Sequence, residues 1–128
     1  MAIPFISAQE AAEHIKHGDN VGFSGFTASG TPKVVTEALA EKAVKEHEQG
    51  HEFKINIFTG ASINDHVDGA RARANAINMR TPYQSSADLR KRLNAHDAHY
   101  FDLHLSELAQ KLRYGVFGKL NVAIIEAA

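Results

Sequence analysis

Asn20-Val21-Gly22-Phe23-Ser24-Gly25-Phe26-Thr27-Ala28-Ser29-Gly30-Thr31-Pro32-Lys33 is the stretch on which the fold turns. Asn20 to Phe23 reads as a short strand. A glycine-punctuated loop follows, and Pro32 opens a strong helix signal. Gly25 and Gly30 allow a positive φ or a close backbone approach to a ligand. Pro32 suits the first position of a helix, where its missing N–H is an orphan in any case. In an open α/β sheet this junction is where anionic ligands bind, because free N–H groups and the helix dipole favour negative charge. Ser24, Thr27, Ser29 and Thr31 add hydroxyls. The loop matches neither G-x-G-x-x-G nor the P-loop, since no Gly-Lys-Ser/Thr follows. As a bare pattern it is equally a plain strand-to-helix turn.

Outward from this loop, helix and strand signals alternate. Ser7 and Glu10 form a capping-box pattern, and Ala8, Ala11, Ala12 and Ile15 then share one helical face. His17-Gly18-Asp19 stops that helix. From Pro32 to Glu48 the apolar positions Val35, Ala38, Leu39 and Ala43 keep helical spacing, and Gly50 ends the run. Lys54 to Thr59 is a β-branched strand closed by Gly60-Ala61-Ser62. Ile77 to Arg80 is a further strand broken by Pro82, and Ser86 to Ala95 a short helix carrying Leu89 and Leu93. Tyr100 to Leu103 is ambiguous, with a strand as one reading. Leu105, Leu108, Ala109 and Leu112 make an amphipathic helix ending near Gly115, and Val122 to Ile125 reads as a buried strand. The fold class is therefore α/β: an open, mostly parallel sheet flanked by helices, with right-handed crossovers.

Residues 1–128 form one domain at most, long enough to bury a core. Fourteen basic against fifteen acidic side chains give a formal charge of −1, so no electrostatic argument favours nucleic acid or an anionic membrane. No cysteine is present, which excludes disulfides, thiolate nucleophiles and cysteine-based zinc sites. No run of about 18 apolar residues suits a membrane span, and Met1 to Ile6 lacks the basic and apolar regions of a secretory signal. A cytoplasmic α/β domain is expected. The apolar run Val122 to Ile125 is followed at once by Glu126-Ala127-Ala128. A parallel strand buried on both faces normally leads into structure that covers it, so the chain is expected to be the N-terminal part of a longer protein or one chain of a split one.

Several side-chain groups invite chemistry. His96, His99 and His104, with Asp97 and Asp102 between them, have spacings that hold a metal only if the segment bends suitably. All of them flank helix ends, where a solvated histidine is the weightier reading, and no metal site is expected. His14, His17, His47 and His51 lie near helix C-termini, where a partial positive charge is mildly favourable. Asp68-Gly69-Ala70-Arg71-Ala72-Arg73, with Arg80, is a basic patch able to meet a phosphate or carboxylate; a solvated helix face outweighs that reading. Gly60-Ala61-Ser62 follows the C-terminal end of a strand, the expected active-site side, so Ser62 is placed to donate a hydrogen bond to a ligand. No Ser-His-acid set or G-x-S-x-G elbow surrounds it, so it is not read as a nucleophile.

Ile15-Lys16-His17-Gly18-Asp19, Ser24-Gly25-Phe26-Thr27 and Gly30-Thr31-Pro32-Lys33 resemble the N-terminal domain of the acetyl-CoA hydrolase/transferase family, which are class I CoA-transferases. The likeness continues through Thr59-Gly60-Ala61-Ser62, Asp68-Gly69, Arg80-Thr81-Pro82-Tyr83, Asp88-Leu89-Arg90, Tyr100 to Ser106 and Asn121 to Ala127. The resemblance implies two α/β domains with the active site between them. It further implies acyl transfer to a glutamate, giving an acyl-glutamyl anhydride and then a glutamyl-CoA thioester. That glutamate belongs to a motif absent here; Glu126 sits in a strand-end motif and is not a candidate. No catalytic residue is therefore expected in this chain. By the same resemblance Gly25, Phe26 and Thr27 wall the acyl pocket, and Ser62 and Ser85 donate hydrogen bonds near the acyl or carboxylate group. Coenzyme A is then a substrate with no separate cofactor, the other substrate a short carboxylic acid of the acetate or succinate type, and the full-length form a homo-oligomer. An acetyl-CoA hydrolase and a non-catalytic subunit binding a CoA ester or another anion are the alternatives. A fragment ranks first, a separate subunit second and a stand-alone binder last.

Overall fold

The computed structural model describes residues 3–63 and 65–127. Met1 and Ala2 of the opening stretch and Ala128 of the final tripeptide lie outside the described residues. Five strands build one sheet: β1 (Asn20–Phe23), β2 (Ile55–Phe58), β3 (Ile77–Thr81), β4 (His99–Tyr100) and β5 (Val122–Ile124). They lie in the order β4-β3-β2-β1-β5, and every pairing is parallel; β5, expected as a buried strand, is instead a part-exposed edge strand, because only β1 pairs with it. Helices α1 (Ala8–Glu13), α2 (Val34–Glu48), α3 (Ala70–Arg73), α4 (Ala87–Asn94) and α5 (Leu108–Arg113) fill the intervals.

The expected α/β class is what the chain adopts. Ser7 accepts from the Glu10 N–H while Glu10 returns a bond to the Ser7 N–H, so the capping box forms as read. The carbonyls of Ala12, in α1, and of Ile15, just past its end, accept from Lys42 Nζ at 3.2 and 3.0 Å, which ties the end of α1 to α2. Regular helix begins at Val34 rather than Pro32, with Lys33 at the cap. The Leu105 segment starts as a 3-10 turn over Leu105–Glu107 before α5. The ambiguous Tyr100 segment supplies the edge strand β4. A π-helical turn, Asp65–Gly69, leads into α3 and had no signature in the residue pattern.

Alternation along the strands divides the sheet into two unlike faces. Val21, Phe23, Ile55, Ile57 and Ile77 bury one face against Ala12, Ile15, Leu39, Ala43, Ala72 and Leu89 from α1 to α4. The other face carries Asn20, Asn56 and Asn78 at the N-terminal ends of three adjacent strands. An irregularity between Ile55 and Asn56 pairs Ile77 with Ile55 and Met79 with Asn56. Asn78 is thus the extra residue of a bulge, turned onto the face of Asn56. Further along that face Phe58 packs on Phe117, ring centroids 5.3 Å apart, and Phe117 on Phe101 at 5.1 Å.

Strand β1 is the turning point. The chain runs from β1 outward to β2, β3 and β4, then returns to place β5 on the other side of β1. Such a reversal opens a crevice beyond the C-terminal ends of the strands. The Gly25 loop leaves β1 at that crevice.

Candidate functional site

Three loops at the C-terminal ends of β1, β2 and β3 continue the sheet as a narrow ladder. Thr27 bridges Ser62, and Ser62 bridges Gln84, both in parallel. The Thr27 N–H donates to Ala61 O at 2.7 Å, and the Ser62 N–H donates to Tyr83 O at 3.4 Å. The two loops singled out by sequence, around Gly25 and around Ser62, are therefore neighbours.

Glycine makes this approach possible. Gly25 has φ +112°, and a Cβ there would lie 2.5 Å from Thr31 Oγ1 and 3.0 Å from Ser29 O. A Cβ on Gly60 would lie 2.8 Å from Gly25 O, so the two loops touch backbone to backbone. Phe26 is pushed outward and stands 58% exposed at the rim. Thr27 takes φ 59°, rare for a branched residue, and its hydroxyl donates to Phe26 O at 2.6 Å. Ser24 ties the crevice shut on the β5 side: its hydroxyl donates to Gly30 O at 2.7 Å and accepts from the Glu126 N–H at 2.9 Å. Lys33 pairs with the Glu126 carboxylate at 3.0 Å.

Ser62 is 3% exposed, and its hydroxyl has no hydrogen-bond partner among the described residues. Gln84 Oε1 shares that condition. Buried polar atoms are nearly always paired, and an unpaired one costs about 1–3 kcal/mol. Ser85 is different: its hydroxyl donates to Ser62 O at 3.4 Å. An open apolar groove of about 410 Å³ adjoins the ladder, between the ends of β1, β2 and β5 and helix α5. Phe58, Leu105, Leu108, Leu112 and Ile125 line it, with Gly60 at its border.

Beneath the loops lies a buried ion pair. Arg80 and Asp68 are both fully buried, with Arg80 Nε donating to Asp68 Oδ1 at 2.7 Å. The same guanidinium donates to Thr81 O at 2.5 Å, to Tyr83 O at 2.8 Å and to Thr59 Oγ1 at 3.4 Å. One planar fork thus gathers the ends of β2 and β3 and the π-helical turn. Tyr83 O accepts from both Arg80 and Ser62, so the charge cluster and the ladder share an atom. Arg71 is buried too, stacked 4.1 Å over the Phe23 ring, with Nε and Nη1 unpartnered among the described residues. Burial pushes its guanidinium down to about 9, against the pull of Asp68.

Both readings of the basic patch are corrected here. Arg71 and Arg80 are neither a solvated helix face nor open to an anion. Only Arg73 reaches the surface, where it holds Asp65 at 2.6 Å and Asp88 at 2.8 Å. Sequence reasoning missed Asp68 as a buried acid and Gln84 as a ladder residue. Asp68 precedes a glycine inside a turn without a regular period, and Gln84 lies in a polar run that carries no pattern. Among the described residues no three His, Asp or Glu side chains converge on a metal geometry. His17 Nδ1 instead accepts from the Lys54 N–H at 3.1 Å, and the Phe53 N–H points at His47 Nε2 at 3.3 Å, so both histidines fasten helix ends to the approach to β2. Among the described residues no helix is long and apolar enough to cross a membrane.

Residues 3–128 match the model of the acetyl-CoA hydrolase/transferase N-terminal domain. The chain belongs to that family. It is 46% identical over 123 residues to the propanoyl-CoA:succinate CoA transferase of Escherichia coli, covering 96% of this chain and 25% of that protein. It is 43% identical over 122 residues to the succinyl-CoA:acetate CoA-transferase of Clostridium kluyveri, covering 95% and 22%. The acetyl-CoA hydrolase of Yarrowia lipolytica is 36% identical over 119 residues, covering 88% and 23%. The chain therefore spans about a quarter of the length of these relatives, and the family holds transferases and hydrolases alike.

Proposed function

We propose that this domain is the N-terminal half-site of a CoA-transferase that moves CoA between a short-chain acyl-CoA and a carboxylic acid of the acetate or succinate type. The carrying observation is the buried Ser62 hydroxyl, without a partner among the described residues and set at the strand ends beside the Gly25-Phe26-Thr27 loop. A hydroxyl held there donates to a carbonyl or carboxylate oxygen of the ligand, and such a donor stabilises charge developing on that oxygen. Ser85 donates its hydroxyl to the Ser62 carbonyl at 3.4 Å and so steadies the Ser62 backbone from the neighbouring strand end. Gly25, Phe26 and Thr27 form the wall.

The covalent chemistry belongs to a glutamate outside this chain. Its carboxylate attacks the thioester carbonyl, the C–S bond breaks, and CoA leaves as thiolate from a mixed anhydride. The thiolate then attacks the glutamyl carbonyl, giving glutamyl-CoA and releasing the first acid. The acceptor carboxylate repeats the sequence in reverse and regenerates the glutamate. Division into these steps lowers the barrier of a single exchange. Coenzyme A is a substrate, and no cofactor is required. The partner of this half-site is a C-terminal catalytic domain. The assembled enzyme is a cytoplasmic homo-oligomer, and this domain alone is inactive.

Transfer is favoured over hydrolysis because the two transferases named above share 46% and 43% identity with the chain, against 36% for the hydrolase. The test is to purify the protein from its natural source and measure its intact mass and activity. A mass several times 14.0 kDa, with succinyl-CoA consumption that depends on acetate, is the expected outcome. Consumption independent of acetate assigns a hydrolase. A mass of 14.0 kDa with no co-purifying subunit refutes the half-site.

A further inference from the structure

We propose that Gln84 determines acyl specificity: it reads the tail of the acyl group held by Ser62 and selects a tail bearing a hydrogen-bonding group over an alkyl tail. The inference rests on the reading of the strand ends as an acyl and carboxylate pocket.

Ser62 and Gln84 are direct partners in the ladder that extends the sheet. Partners on adjacent parallel strands stand on the same face, about 4.8 Å apart. Ser85 is the next residue along and by alternation belongs to the opposite face, consistent with its bond back to Ser62 O. Gln84, not Ser85, therefore shares the face of Ser62. Among the described residues, the buried side-chain oxygens left without partners in these loops are Ser62 Oγ and Gln84 Oε1. Their chain neighbours Ile63 and Tyr83 are 51% and 50% exposed, so the two oxygens belong to segments that reach the surface.

An acyl oxygen bound by Ser62 places the third and fourth atoms of the acyl chain one strand spacing away, beside the Gln84 amide. That amide offers Oε1 as acceptor and, after half a turn, Nε2 as donor. A hydroxyl or an amide satisfies it in either orientation, and a second carboxylate, which only accepts, does so when Nε2 faces it. A methyl group leaves it buried and unpaired, and a site built to hydrogen-bond a substrate discriminates against the analogue that lacks the group.

The test uses the protein as purified from its natural source and two nearly isosteric substrates, 3-hydroxypropionyl-CoA and butyryl-CoA, with acetate as acceptor. In the wild type kcat/KM favours the hydroxylated substrate. In Gln84→Met, which keeps the length of the side chain and removes its amide, that preference falls by ~10-fold or more, while Gln84→Asn retains part of it. Thermal unfolding of each variant reports folding, and Gln84→Leu replaces Gln84→Met if the latter does not fold. An active wild type whose substrate ratio is unchanged in a folded Gln84→Met variant overturns the inference alone. A wild type that turns over neither acyl-CoA, and no other, overturns the pocket reading and the inference with it.

Discussion

The two ends of the sheet use polar side chains in opposite ways. At the N-terminal ends, Asn78 Nδ2 donates to Asn56 Oδ1 at 2.7 Å, and Asn56 Nδ2 donates to Asn20 Oδ1 at 2.8 Å. Asn20 Nδ2 closes the series on the carbonyls of Phe117 and Lys119 at 2.8 and 3.0 Å, while the Asn20 N–H donates to Asn121 Oδ1. The network binds the connection between α5 and β5 to the sheet, and among the described residues it leaves no buried polar side-chain atom unpaired. At the C-terminal ends, Ser62 and Gln84 hold buried oxygens with no partner among the described residues. A closed network fixes structure; an open one has capacity left for a ligand. The Arg80–Asp68 pair stands under the open end and holds it in shape without filling it.

This contrast is broken most severely at Asp68. Replacing it with Ala strands the buried Arg80 guanidinium, and a loss of about 3–5 kcal/mol in unfolding free energy is expected by urea denaturation. Gly25→Val comes next. Its Cβ has no room beside Thr31 Oγ1 at 2.5 Å, and φ +112° is strained for valine, so a cost on the order of 2–3 kcal/mol should accompany loss of activity; unchanged kinetics would reduce the loop to a connector. Asn20→Ala removes a side chain that bonds three groups, and about 2 kcal/mol is expected, with faster amide exchange at Asn56 and around Lys119 but ligand affinity retained. At the open end the balance reverses. Ser62→Ala should change stability by about 1 kcal/mol or less while turnover of the full-length enzyme falls ~10-fold or more; an equal loss of folded protein and activity refutes the donor role. Arg71→Met sharpens the same point: it removes a buried charge with two unpartnered nitrogens yet keeps a chain to pack on Phe23, so the melting temperature should hold or rise.

Much of the fold was legible because short-range patterns decide it. The capping box at Ser7, the helical period from Val35 to Ala43 and the β-branched run from Ile55 are local features, and each formed where it was read. The Gly25 and Ser62 loops were legible as strand-end loops for the same reason. Asp68, Arg71 and Arg80 were not. Charged residues near a turn are ordinarily solvated, and only the packing of the π-helical turn and α3 onto the sheet takes these three out of water. Gln84 escaped notice because a bridge to Ser62, more than twenty positions away in the chain, has no local signal.

By itself the sequence determined the α/β alternation, the glycine loop after β1 and the family to which the chain belongs, since periodicity, turn residues and motif order reside in neighbouring positions. The tertiary structure decided the rest. It chose the strand order that puts β1 between β2 and β5, buried the Asp68 carboxylate against the Arg80 guanidinium, turned Asn78 onto the polar face through a bulge, and set Gln84 beside Ser62. Each of these depends on contacts between segments distant in the chain, where burial and register, rather than local preference, settle which polar atoms are paired and which are left free.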